Sequence, residues 1–182
     1  MSARSAETVA VEIVALLASP LHALAGRPSD GPRPDPEPVS RERIVVRAGR
    51  GVVGDRYFNQ RAHRRAAVTV LAAEALDELE RELAPAGSLD PLRARRNIVL
   101  RGYPVDVLAA RRGAAGAVFS LDSGAGPVRF QAHRPANPCA WMDVLLAPGA
   151  FRGLRGRGGV RCEPLDDGEL STGPATLTVL AS

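Results

Sequence analysis

Hydrophobic and polar positions along the chain change period several times. Thr8 to Leu17 is apolar, with β-branched Val9, Val11, Ile13 and Val14, and reads as a buried strand. The Ala and Leu residues at its end admit a helix as the alternative. Ser19 to Ser40 has little apolar mass and prolines at 28, 32, 34, 36 and 38, which predicts a loop long enough to act as a lid or an insertion. A short strand at Arg43 to Arg47 runs into a glycine-punctuated turn, Gly49 to Arg56. A basic cluster, Arg61 to Arg65, precedes a strand at Ala67 to Leu71.

The clearest helical pattern is Ala73 to Leu83, with Leu76, Leu79 and Leu83 on one face and acidic residues elsewhere. Pro85-Ala86-Gly87 stops it. Strand signals follow at Ile98 to Leu100, Ala117 to Leu121 and Val128 to Ala132. The last two flank the Ser123-to-Pro127 turn and predict a hairpin. Val105 to Ala109 is a short amphipathic piece, and Ala140 to Leu146 predicts a short helix. Strands at Val160 to Glu163 and Thr176 to Leu180 close the chain. One good helix among many short strands predicts a single α+β domain over residues 1–182, predominantly β, built on a barrel or closed sheet.

Composition narrows the chemistry. The 182 residues carry 24 basic side chains, all arginine, for a formal net charge of +4. Without lysine the chain cannot form the Schiff base of a covalent pyridoxal phosphate enzyme or complete a Walker P-loop. Arginine forks suit bidentate recognition of phosphate or carboxylate. A charge of +4 is modest for nucleic acid, so a small anionic ligand is the expected partner. The apolar run at the N-terminus contains Glu12 and is too short to span a membrane. With two cysteines and no disulfide framework, a reduced cytoplasmic setting is expected.

The segment His133-Arg134-Pro135-Ala136-Asn137-Pro138-Cys139 holds one of those cysteines just ahead of the short predicted helix. A helix N-terminus and a nearby Arg134 favour thiolate over thiol. Cys139 can therefore serve as nucleophile, sulfur carrier or soft-metal ligand; the competing reading is a buried cysteine acting as a small hydrophobe. Arg95-Arg96-Asn97 at a strand entrance can grip a phosphate or form a solvated strand end.

Taken in order, these segments resemble the MOSC domain, named after the C-terminal part of molybdenum cofactor sulfurase. Gly51-Val52-Val53-Gly54-Asp55-Arg56 is similar to the family's Gly-x-x-Gly-Asp-Arg signature, with Arg64-Arg65 and Val68 to Glu74 resembling the strand and helix that follow. Arg95 to Gly102 resembles its Arg-x-Asn-Ile-Val-x-x-Gly stretch, and Pro138-Cys139 sits where the family places its single cysteine. Arg157 to Val160 and Gly168 to Leu170 resemble its closing hairpin. The likeness spans about residues 44–180.

The resemblance implies a β-barrel with a few short helices that binds the molybdenum-pterin cofactor. Cys139 is then the metal ligand or a persulfide carrier, with Arg56, Arg96 and Asn97 at the cofactor and Asp55 shaping the pocket wall. His63, His133 and Arg134 are added from their chemistry as proton donors or phosphate partners at the cofactor. An enzyme of this kind reduces N-hydroxylated substrates with electrons from a separate donor protein; the alternative is a non-catalytic cofactor or sulfur carrier. Two departures stand out. Tyr57 follows Gly-Asp-Arg where many free-standing members have His, and Gly173-Pro174 stands where the family has Gly-Asp.

Overall fold

The computed structural model describes residues 6–180 of the chain. Its frame is β1 (Glu7–Leu17), β2 (Ser40–Arg41), β3 (Arg43–Arg47), β4 (Gly51–Val52), β5 (Val68–Ala72), α1 (Ala73–Leu83) and β6 (Ile98–Arg101). Then come β7 (Val118–Asp122), β8 (Val128–Pro135), α2 (Trp141–Leu145), α3 (Ala150–Gly153), β9 (Val160–Pro164), β10 (Gly168–Ser171) and β11 (Gly173–Leu180). Strands run in the order β11-β7-β8-β9-β5-β6-β1, and β11 also pairs with β1, so seven strands close into a barrel. β2 extends this sheet beside β1, and β10-β3-β4 form a small second sheet.

β1 performs the closure. Its first half pairs antiparallel with β11, from Glu7 opposite Val179 to Ile13 opposite Gly173. Its second half pairs with β6 after a register shift between Ile13 and Ala15. Val11 and Ile13 face inward and Glu12 and Val14 outward, the period-2 alternation of a strand with one buried face; beyond the bulge Leu16 returns to the interior while Ala15 packs outside it against Ala73 and Val99. The strand reading of this segment holds over the helical alternative.

The barrel interior is packed with Ile13, Leu16, Val68, Val70, Ile98, Leu100, Phe119 and Phe130, among others. Phe119 and Phe130, paired across β7 and β8, stack with centroids 5.4 Å apart. A second apolar cluster lies between the sheet and the helices, where α1 contributes Leu76 and Leu79 and α2 contributes Trp141 and Met142. The single tryptophan is therefore a packing residue.

One expectation changes. β10 pairs with β3, Glu169 opposite Val45, so the segment read as half of a closing hairpin with β9 belongs to the second sheet instead. The hairpin of β7 and β8 forms as the pattern predicts. The proline-rich segment is a largely exposed loop, as expected, and is tied back to the fold at three points: Ala18 N donates to Val39 O, Arg33 N donates to Ala23 O, and Asp35 pairs with Arg95. Among the described residues, no helix is long and apolar enough to cross a membrane.

Candidate functional site

β5 and β9 are antiparallel neighbours with Thr69 opposite Arg161. Their flanking residues, Val68, Val70, Val160 and Cys162, point into the barrel, so alternation turns Thr69 and Arg161 outward. Three more segments arrive at the same place: the Gly-Asp-Arg turn after β4, the Arg-Arg-Asn entrance to β6, and the end of β8. They enclose a cavity of about 130 Å³ lined by Arg56, Tyr57, His63, Ala66, Thr69, Arg95, Arg96, Arg134, Ala136 and Arg161.

Five guanidinium groups wall this small volume. Only Arg95 has an acidic partner; Arg56, Arg96, Arg134 and Arg161 form no ion pair among the described residues. Desolvation, then the Arg161 charge, pushes the Arg96 guanidinium down to about 10, with Cys139 acting in the opposite sense. Arg161 is lowered by desolvation and by Arg134, again with Cys139 opposing. Clustered like charges disfavour one another, so this wall gains from an anion. The Nε–H groups of Arg56, Arg95 and Arg161 are buried without a hydrogen-bond partner, a state that ordinarily costs about 1–3 kcal/mol each.

Local structure accounts for each position. Arg96 is fastened by three carbonyls: Nε donates to Gly158 O at 3.1 Å, Nη1 to Ala94 O at 3.1 Å and Nη2 to Ala136 O at 3.0 Å. Gly158 and Gly159 are held in turn, Gly159 N donating to Asp106 Oδ1 at 2.8 Å and Gly159 O accepting from Ala136 N at 2.8 Å. Arg95 sits at φ +57°, an uncommon conformation for a residue with a side chain, as the C-cap of the short turn at Pro91–Ala94. Its guanidinium meets Asp35 in a two-pronged pair of 2.6 and 3.0 Å. At the mouth, Arg56 lies over the Tyr57 ring at 4.6 Å, and Tyr57 packs against His63 with centroids 4.6 Å apart.

Of the residues singled out from sequence, Arg56, His63, Arg96 and Arg134 line the cavity. Asp55 and Asn97 lie buried behind it. Asn97 Oδ1 accepts from Thr69 N and Thr69 Oγ1, both at 3.0 Å; its Nδ2 donates to Leu17 O at 3.2 Å and Asp55 Oδ2 at 3.1 Å. With its amide fully engaged, Asn97 ties β1, β5 and the Gly-Asp-Arg turn together. Asp55 also accepts from Tyr57 N at 3.1 Å.

His133 stands apart, with Nε2 3.5 Å from a Glu163 oxygen; Glu163 also accepts from Arg64 Nε at 2.6 Å. Cys139 is exposed and free, two residues ahead of the five-residue α2, and interacts electrostatically with Arg96 and Arg161. Cys162 is free and fully buried inside the barrel, where desolvation strongly raises its thiol pKa. The two thiols occupy different environments and form no disulfide.

Arg161 and Asp35 were not singled out from sequence. An arginine between two buried β9 positions is the available signal for the first; Asp35 lies 60 residues from its partner and leaves none. A larger cavity, about 410 Å³, lies between α1 and Gly102–Asp106, and its Arg157 already pairs with Glu78 and Glu82. No group of three or more His, Cys, Asp and Glu suited to a metal ion occurs among the described residues.

The barrel resembles several solved structures. YuaD protein from Bacillus subtilis superposes with a TM-score of 0.70 at 13% identity, covering 98% of this chain and 100% of that one. YiiM from Geobacillus stearothermophilus gives 0.59 at 14% identity, covering 93% and 75%. YiiM from Escherichia coli gives 0.57 at 13% identity, covering 94% and 69%. These likenesses speak to the fold alone. No curated protein matches the chain by sequence. The MOSC domain model matches residues 45–175, which take in the Gly-Asp-Arg turn, the Arg-Arg-Asn entrance and Cys139. With that match over most of its length and the closed barrel it adopts, the chain belongs to the MOSC domain family, whose members generally bind molybdenum cofactor.

Proposed function

We propose that the protein binds the molybdenum-pterin cofactor at the arginine cavity, with Cys139 as the metal ligand, and reduces N-hydroxylated substrates. The observation that carries the reading is the cluster of four arginines without acidic partners beside an exposed free thiol. The donor set fits the group: a thiolate is a soft ligand, and guanidinium forks match a phosphate. At about 130 Å³ the cavity encloses a phosphate-sized group. His63 and Arg134 are exposed at the cavity's edge; Cys139 is exposed as well and is not one of the lining residues.

When bound, the cofactor supplies two-electron redox chemistry at molybdenum. The chain's residues do the rest. Arg56, Arg96, Arg134 and Arg161 hold the anionic end, while Asn97 and Asp55 keep the turn and the β6 entrance in register behind it. Cys139 holds the metal. His63, packed against Tyr57, is the candidate for delivering a proton to the departing hydroxyl, as imidazoles exchange protons near neutrality. Electrons come from a separate donor protein.

The exposure of Cys139 favours a second reading, a carrier that hands on cofactor or persulfide sulfur. Protein purified from a cofactor-competent host is expected to contain molybdenum and pterin in stoichiometric amounts, and Cys139→Ala to lose molybdenum. Reduction of an N-hydroxylated substrate with an artificial electron donor separates the readings. Cys139-dependent turnover is expected; molybdenum without turnover favours the carrier, and neither sinks both.

A further inference from the structure

Arg95 differs from the other arginines of the cavity. Its side chain is 8% exposed, and both terminal nitrogens are engaged by one carboxylate. Its Nε–H is buried and unpartnered. The carboxylate is that of Asp35, in Pro34-Asp35-Pro36, a segment outside the 45–175 match. Prolines on both sides restrict the backbone there, so little conformational freedom remains to be lost when the carboxylate is held in place. Ser19 Oγ donates to the same carboxylate, and Ser19 O accepts from Arg56 N at 2.7 Å, which connects the strap to the Gly-Asp-Arg turn. The Arg95 hydrogen bond, with help from Ser19, holds the Asp35 carboxyl below its ordinary range, so it stays ionised at neutral pH.

The pair takes one N–H from each terminal nitrogen and fixes the plane of a guanidinium that lines the cavity with Arg56, Arg96 and Arg161. We infer that Asp35 is a positioning residue for anion recognition, clamping Arg95 in the cavity wall so that its guanidinium serves a phosphate-type ligand together with those of Arg56 and Arg161. The proline-rich segment is then part of the binding site, through Asp35. The inference rests on the anion-binding reading of the cavity and not on molybdenum.

The sign of one measurement tests it. Deleting a negative charge beside five cations strengthens anion binding if Asp35 acts only through its charge. A positioning role predicts the opposite. In isothermal titration of the full chain with inorganic phosphate at low salt, Asp35→Asn is expected to weaken binding about tenfold, and Asp35→Glu to recover most of the loss. Arg95→Lys keeps the charge but loses the planar two-pronged pairing, so it shows a similar loss, and adding Asp35→Asn to it costs nothing further.

Affinity that Asp35→Asn leaves unchanged or raises overturns the inference, as do additive effects of the two substitutions. Should Asp35→Asn fail to fold, Arg95→Lys decides alone, with wild-type affinity overturning it. Absence of phosphate binding by the wild type removes the anion reading and this inference together.

Discussion

At the scale of single residues, the two cysteines have opposite roles. Cys162 faces Val68 and Ala132 across β9 inside an apolar barrel, with no exposure. A hydroxyl there has no partner, so Cys162→Ser is expected to destabilise by about 1–3 kcal/mol. Cys139→Ser, at an exposed position, stays within about 0.5 kcal/mol. Urea denaturation checks both. Thiol titration gives a second check: one thiol reacts in the native protein near neutral pH and two after unfolding, because burial raises the Cys162 pKa and shields it. Asn97 shows how a motif residue can be marked in sequence yet gain its physical role only in space. The Arg-Arg-Asn stretch marks it, but its partners, Leu17, Thr69 and Asp55, come from three distant segments.

Among the elements, the Gly158-Gly159 strap before β9 is tightly constrained. Gly159 has φ +93°, and a Cβ added there would lie 2.2 Å from Val70 O and 3.1 Å from Leu71 Cα. Those atoms belong to the β5 backbone and cannot rotate away. Gly159→Ala is therefore expected to cost about 3 kcal/mol or more and to disturb Arg96, whose Nε is fastened to the adjacent Gly158 carbonyl. Gly54→Ala, at φ +82° with open space around it, carries only the backbone penalty of about 1 kcal/mol. Chemical denaturation of the two variants measures the difference. α1 was legible from its stripe of leucines and spans Ala73–Leu83 as the pattern predicts. The proline-rich segment was legible only as a loop, since nothing local announces that Asp35 reaches Arg95.

For the whole molecule, acid stability follows from pairs spread around the barrel. Arg95, Arg101 and Arg129 hold Asp35, Asp77 and Asp166 below the ordinary carboxylate value of 3.8. The native state binds these protons less readily than the unfolded chain does. Their contribution is complete above pH about 3.8 and fades as the pH falls below it. Asp106 has the opposite sign: desolvation raises its pKa, so its ionised form costs stability above that range and the cost disappears on protonation. Stability measured against pH is expected to fall below about pH 4. Asp35→Asn should flatten that acid limb. Asp106→Asn, which keeps an acceptor for Gly159 N, should leave neutral stability equal or higher.

Read alone, the sequence determined the alternation of strands, the one long helix, the arginine-only charge and a motif order characteristic of the family. These are properties of near neighbours along the chain, where sterics and burial act over a few residues. Tertiary structure decided which arginines meet, because that depends on β1 closing the barrel against β11 and on β5 lying beside β9. It also decided that Asp55 and Asn97 stand behind the cavity, that β10 joins a second sheet, and that Asp35 clamps Arg95. Long-range pairing brings those groups together, and charge and desolvation act through distance in space, which the order of residues does not state.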